Sequence, residues 1–175
     1  MEGLKKKVLT VNGSTSSNST NAAFLKALSK LFPSIDFDHY PYLAELPVYK
    51  PENDAHPFPS AIIRWREQVR SSDAVIISTP AYLKNMPAAL KNAFEWLSTS
   101  GELSDKPVLA FTFTPHPPRG KEAMQSLLWT LEALNARVIA YEGFYLMDFE
   151  VDDGQVIFPD DFKMMVREIF TLLVN

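Results

Sequence analysis

The apolar positions change period along the chain. Val8-Leu9-Thr10-Val11 is a short β-favouring run that stops at Asn12-Gly13. From about Asn21 to Leu31 the apolar residues Ala22, Phe24, Leu25 and Leu28 recur at helical spacing, and Phe32-Pro33-Ser34 ends that helix. Ile35-Asp36-Phe37-Asp38-His39 alternates apolar and polar, which predicts a strand with one wetter face, suited to a sheet edge. Tyr40 to Tyr49, followed by a polar, proline-rich segment to Pro59, reads as a long surface connection. A helix is predicted over Ala61 to Arg70, with Ile62, Trp65 and Val69 inward, then a covered strand over Ala74-Val75-Ile76-Ile77-Ser78. Another helix follows from about Pro87 to Ser98, with Leu90, Phe94 and Leu97 as its stripe and Gly101 closing it.

Val108 to Phe113 is the next strand, and Thr114 to Gly120 is a rigid loop. Met124, Leu127, Leu128, Leu131 and Leu134 show the strongest helical period in the chain. Arg137 to Tyr141 reads as a last core strand. An aromatic-rich segment then runs from Glu142 to Pro159, with a turn at Asp152-Asp153-Gly154. The final helix places Phe162, Met165, Ile169 and Leu172 on one side.

Strands alternating with helices specify a parallel α/β sheet with right-handed crossovers. Five strands without a second nucleotide-binding half favour the order 2-1-3-4-5 in one domain over residues 1–175. In such sheets a ligand lies beyond the carboxyl ends of the strands, at the switch point between strands 1 and 3. Segments 13–21, 79–86 and 112–120 then become neighbours.

The first of these segments is a loop of small hydroxyl and amide side chains running into a helix. Orphan N–H groups and the macrodipole make such a junction an anion site. The same residues also fit an ordinary polar loop with a good N-cap. Neither G-x-G-x-x-G nor G-x-x-x-x-G-K-[ST] can be written here, so the loop is no obvious dinucleotide or ATP cradle. Hydroxyls in place of glycines suit a terminal monophosphate.

Gly13-Ser14-Thr15-Ser16-Ser17-Asn18-Ser19-Thr20-Asn21 resembles the G-S-x-R-x-x-S-x-N phosphate loop of the NADPH-dependent FMN reductase family. Gly13, Ser14, Ser19 and Asn21 match, and Ser16 stands where the family usually has Arg. The second segment, Thr79 to Trp96, is similar to the family's T-P-E-Y-N…P-G-x-L-K-N-A-x-D-W. Pro80, Tyr82, Pro87, Leu90, Lys91, Asn92, Ala93 and Trp96 match in register, while Ala81, Leu83 and Ala88 replace Glu, Asn and Gly. The third loop departs, with prolines and His116 where the family tends to glycines. The resemblance spans roughly residues 7–140, and Asp152-Asp153-Gly154 is similar to the family's C-terminal turn.

The resemblance implies a flavodoxin-like three-layer sandwich that binds FMN. Ser14, Ser16, Asn18, Ser19, Thr20 and Asn21 are the implied phosphate contacts. Pro80, Ala81, Tyr82, Leu83, Lys84 and Asn85 are the implied ring contacts, made largely through the backbone, with Thr114 and His116 on the third loop. Tyr82 is open between ring stacking and subunit contact, and His116 between the flavin edge and plain exposure. Lys91, Asn92 and Trp96 read as structural, and His39 and His56 make no metal pattern with the carboxylates. The implied activity carries a hydride from NADPH or NADH through flavin N5 to a small acceptor, a flavin or quinone, in a ping-pong cycle. The chemistry belongs to the cofactor, so no catalytic residue is expected. Two other readings stay open: an electron carrier of the flavodoxin type, and a flavin-free protein-interaction domain.

Composition narrows this further. The net charge of −4 argues against nucleic acid and anionic membrane surfaces as partners, and is mild for an electron carrier with a strongly acidic face. The absence of cysteine excludes disulfides, a thiol nucleophile and cysteine–metal sites, and is compatible with the cytoplasm. Lys5-Lys6-Lys7 precedes an apolar run too short for a signal peptide, and no apolar stretch approaches a bilayer span. The family resemblance and the aromatics imply a homodimer or homotetramer.

Overall fold

A computed structural model describes residues 5–54 and 57–174. Five strands, β1 (Lys7–Asn12), β2 (Asp36–Tyr40), β3 (Ala74–Thr79), β4 (Pro107–Thr114) and β5 (Arg137–Tyr145), form one sheet in the order β2-β1-β3-β4-β5. All four pairings are parallel. This is the sheet expected from the alternating pattern. A two-stranded antiparallel hairpin of β6 (Glu150–Asp152) and β7 (Gln155–Ile157) stands apart from it. Its turn residues Asp153 and Gly154 have φ of 44° and 71°, the left-handed pair that a two-residue hairpin needs.

Helices cover both faces. α1 (Thr20–Lys30) and α5 (Asp160–Val174) lie on one side, and α2 (Ser60–Ser71), α3 (Ala88–Glu95) and α4 (Lys121–Ala133) on the other. Side chains alternate across a strand, so consecutive apolar residues feed two separate cores. In β3, Val75 and Ile77 join Trp65, Leu90 and Leu127, whereas Ala74 and Ile76 join Phe24, Leu25 and Val166. The second core is rich in phenylalanine, with Phe24 stacked on Phe113 at 4.7 Å between ring centroids.

Three expectations are corrected. β5 runs on to Tyr145 and is an edge strand rather than a core one: with only β4 beside it, Phe144 is its one buried side chain and Tyr141 is exposed. α5 turns Phe162, Val166, Phe170 and Leu173 inward, while Leu172 is exposed. Its rotation follows the stacking of Phe170 on Phe32, with centroids 3.9 Å apart. α3 ends at Glu95, and the chain reaches Gly101 through turns that keep Trp96 and Leu97 buried.

The long connection after β2 is tied down. Asn92 Nδ2 and Trp96 Nε1 both donate to the carbonyl of Pro47, at 3.0 and 2.8 Å, and Tyr49 N donates to Asn92 Oδ1 at 2.7 Å. Asn92 and Trp96 are therefore structural, as expected: they fasten this segment to α3, the helix that follows the second loop of the site. Arg66 adds a second fastening. It donates to the carbonyl of Trp96 at 2.7 and 3.0 Å and to Asp54 Oδ1 at 2.9 Å.

Candidate functional site

The parallel register brings the ends of β1, β3 and β4 together. Asn12 lies opposite Ser78, and Gly13 N donates to Ser78 O at 2.8 Å. A Cβ on Gly13 would stand 2.7 Å from Thr79 Oγ1 and 3.0 Å from Leu90 Cδ2, so only glycine lets the first loop leave the sheet this closely.

The loop beyond is organised by Asn12. Its Nδ2 donates to Ser14 O at 2.9 Å, and its Oδ1 accepts from Ser14 N at 3.1 Å and from Ser19 Oγ at 3.2 Å. Ser14 Oγ accepts from Ser16 N at 3.2 Å. Ser19 is the N-cap of α1, its Oγ accepting from Ala22 N at 3.2 Å. Thr15, Ser16, Ser17, Asn18 and Thr20 are exposed. Among the described residues the N–H groups of Thr15, Ser17 and Asn18 have no hydrogen-bond partner. The arc 14–20 is thus rich in available donors over a helix N-terminus. Asn21 differs from its neighbours. It is buried, donates from Nδ2 to Phe113 O at 3.0 Å and accepts at Oδ1 from Ser78 Oγ at 2.7 Å. It lies beneath the loop and ties the first turn of α1 to β3 and β4.

The second loop is a tight reversal. Tyr82 N donates to Asn85 O at 2.8 Å and Asn85 N to Tyr82 O at 2.9 Å. Leu83 and Lys84 between them hold φ of 49° and 62°, left-handed values that cost a non-glycine residue about 1–2 kcal/mol each. Asn85 Oδ1 accepts from Met86 N at 2.8 Å, and Thr79 Oγ1 donates to Pro80 O at 3.1 Å. Ala81 and Met86 are buried anchors, whereas Leu83 is fully exposed at the tip. Tyr82 OH reaches Ser14 Oγ at 3.4 Å, so the first two loops touch.

The third loop turns at His116, whose carbonyl accepts from Arg119 N at 3.2 Å and whose Nδ1 donates to Pro117 O at 3.0 Å. Thr114, buried at the end of β4, donates to Arg119 O at 3.0 Å. Gly120 caps α4 at φ 102°, where a Cβ would meet Thr112 Oγ1 at 2.8 Å. Between the second and third loops lies a cleft of about 570 Å³, lined by Ala81, Leu83 and Lys84 on one side and Pro118, Arg119, Gly120, Lys121 and Glu122 on the other. Lys84 Nζ faces Glu122 Oε1 across it at 3.7 Å.

Two of these features escape a reading of the sequence. Asn12 sits at a strand end and looks like a turn residue; only the fold shows its carboxamide holding Ser14 and Ser19. Arg119 and Lys121 flank the glycine before α4, a signal that spacing alone does not separate from ordinary surface charge.

His39 lies away from the cleft, beside a cavity of about 360 Å³ between α1 and the ends of β1 and β2. Its Nδ1 is 2.5 Å from Thr10 Oγ1. Burial pushes its pKa below the usual histidine value, Asp38 opposes this and Lys26 adds to it. His56 lies outside the described residues. Among the described residues no group of three or more His, Cys, Asp or Glu side chains could hold a metal ion, and no helix is long and apolar enough to cross a membrane.

Known proteins are similar to this chain in sequence and fold. Residues 6–149 match the model of a family described as NADPH-dependent FMN reductase. A quinone reductase of Escherichia coli is 33% identical over 139 residues, covering 77% of this chain and 74% of the relative. An NAD(P)H-dependent FMN reductase of Pseudomonas aeruginosa is 38% identical over 103 residues, 58% of this chain and 56% of the relative. Among solved structures, FerB of Paracoccus denitrificans, a flavoenzyme NAD(P)H:(acceptor) oxidoreductase, superposes with a TM-score of 0.81 at 23% identity, covering 96% of this chain and 95% of its own. The likeness to FerB carries the fold, and the extent of the family match carries the assignment: the chain belongs to the NADPH-dependent FMN reductase family.

Proposed function

We propose that this chain binds FMN across the three loops and uses NADPH or NADH to reduce a small acceptor, a quinone or a flavin. The observation that carries this is the contact of Tyr82 with Ser14, which joins a donor-rich arc to a cleft with a largely apolar lining. Such a pairing fits a monophosphate attached to a planar ring. Ser14, Ser16, Asn18, Ser19 and Thr20 offer hydroxyl, amide and N–H donors to the phosphate, and Asn21 holds the helix start in place. Ser16 in the family's arginine position leaves phosphate binding to neutral donors and the helix dipole. Pro80, Ala81, Tyr82, Leu83, Lys84 and Asn85 present the ring with a rigid wall of backbone groups, and Thr114 and His116 border its other side.

Bound FMN supplies hydride transfer at N5. The protein binds and orients, and the ping-pong order follows from donor and acceptor using one cleft in turn. The quinone reductase of Escherichia coli supports the acceptor class. We place the enzyme in the cytoplasm, a reading compatible with the absence of cysteine, and as a homodimer or homotetramer, supported by the exposure of Tyr82, Leu83 and Trp129.

Titration with FMN and riboflavin tests the cofactor: FMN should bind much more tightly, and equal affinities would remove the phosphate arc from the account. NADPH or NADH should then bleach the bound flavin, and a quinone should restore its colour. A flavin that only an external reductase can bleach would instead mark an electron carrier.

A further inference from the structure

We propose that Lys84, Arg119 and Lys121 form a rim that binds the phosphate groups of the hydride donor. The proposal rests on the NAD(P)H-dependent reading above and deepens it. The chain as a whole is acidic, at −4, yet this cleft sets three cations against the single carboxylate of Glu122. A local positive field on an acidic protein raises the concentration of a polyanion at that place.

The cations differ in how they are held. Arg119 has its main chain fixed at both ends, N–H to His116 O and carbonyl to Thr114 Oγ1, so the root of its side chain is set. Among the described residues the Arg119 guanidinium and the Lys121 ammonium have no hydrogen-bond or ion-pair partner. Arg64, Arg66 and Arg70 each face a carboxylate, whereas Arg119, like Arg137 and Arg167, pairs with none among the described residues. Lys84 pairs with Glu122 at 3.7 Å, with both side chains largely exposed. A pair of this kind is worth little and exchanges readily for a phosphate. The first turn of α4 adds open N–H groups at the same edge, because its cap, Gly120, has no side chain to occupy them. Guanidinium forks and helix N-termini are well suited to phosphate oxygens.

Ala81, Leu83 and Pro118 give the cleft an apolar part of its lining, so the rim acts on the charged part of a ligand and not on its rings. A nicotinamide dinucleotide carries phosphates, and a quinone carries none. With a quinone as acceptor, the rim therefore serves the reductive half of the cycle and leaves the oxidative half alone. The phosphates in question are the diphosphate bridge or the 2′-phosphate of NADPH.

The test uses the FMN-loaded protein and three probes that cannot donate a hydride: adenosine, ADP-ribose and 2′-phospho-ADP-ribose, titrated calorimetrically. ADP-ribose should bind more tightly than adenosine. Arg119→Ala and Lys121→Ala should each weaken the phosphorylated probes about ten-fold, since a hydrogen bond to a charged group is worth roughly 1.5–3 kcal/mol and about 1.4 kcal/mol is a factor of ten. Adenosine should be unaffected. A loss confined to 2′-phospho-ADP-ribose assigns the rim to the 2′-phosphate, and an equal loss for both assigns it to the diphosphate. In turnover, the KM for the nucleotide should rise while the rate of flavin reoxidation by quinone stays unchanged. Lys30→Ala removes a cation from the far end of α1 and should change none of these. Variants that bind both phosphorylated probes like the parent overturn the rim. Failure to take up FMN, or bound FMN that neither nucleotide bleaches, overturns the enzymatic reading instead and shows before any probe is added.

Discussion

Asn12 and Ser14 hold each other from both sides. The Asn12 carboxamide donates to the Ser14 carbonyl at 2.9 Å and accepts from the Ser14 N–H at 3.1 Å. The reciprocal pair closes the loop as it leaves β1 and sets the direction in which Thr15, Ser17 and Asn18 present their N–H groups. Asn12→Ala removes both bonds and the bond from Ser19, each worth about 0.5–1.5 kcal/mol. FMN affinity should fall roughly ten-fold or more as the arc loses its preset shape. Riboflavin affinity should change little, and fluorescence titration of both flavins measures the difference.

Ser19 combines a cap with a place beside the proposed phosphate. Its hydroxyl accepts from Ala22 N and donates to Asn12, so Ser19→Ala should lower stability by about 1 kcal/mol in a urea unfolding series. Ser19→Asp keeps an acceptor for Ala22 N near the positive end of the helix and should melt close to the parent. It nevertheless adds a negative charge beside the phosphate, so FMN binding should be weaker than in Ser19→Ala. An Asp variant that binds FMN like the parent would leave Ser19 as a cap alone.

Leu83 is strained and fully exposed, with φ of 49° in a turn that favours asparagine or glycine. Leu83→Asn should raise stability by about 1 kcal/mol through relief of that strain. If the ring is contacted by backbone groups, FMN affinity should be unchanged. A large loss of affinity would show that the leucine side chain itself covers the ligand or a neighbouring subunit. Thermal melting and FMN titration of the same sample separate the two effects.

Asp54 gives the stability a pH dependence. Burial pushes its carboxyl up, but hydrogen bonds from Thr99, Arg66 and Tyr49, with the guanidinium charge of Arg66, outweigh this and hold it below its ordinary value. A depressed carboxyl contributes stability that is full above the unfolded pKa and lost as the pH falls through the folded one. Asp54→Asn leaves the buried Arg66 without its counter-charge and should destabilise by roughly 3 kcal/mol or more at neutral pH. The gap between variant and parent should close as the pH drops below the ordinary carboxylate range. Urea unfolding at a series of pH values checks it; a gap independent of pH would mean that the pair contributes only packing.

The residues that bury an element often identify it alone. Continuous runs such as Ala74 to Ile77 require cover on both faces, and the alternation in Asp36 to His39 requires an edge, so the pattern determined the element order and the parallel sheet. It also marked the three loops as neighbours, because a parallel sheet in this order leaves its ligand-binding ends on one side. Rotations and endings were decided elsewhere. α5 carries apolar residues on two overlapping stripes, and the stack of Phe170 on Phe32 together with the packing of Phe162 on Phe144 and Phe149 chooses between them. β5 looks like a core strand, but a last strand has one neighbour, and Tyr141 stays exposed. At the site, the loop sequence announced donors for an anion without saying which of them stay available. Asn21 is turned beneath the loop by Phe113 and Ser78, far apart in the chain, and Asn12 is turned into it by the close approach that Gly13 allows. Local propensity acts over a few residues, whereas the direction of a polar side chain is set by whichever distant partner satisfies it, and that partner exists only once the sheet has formed.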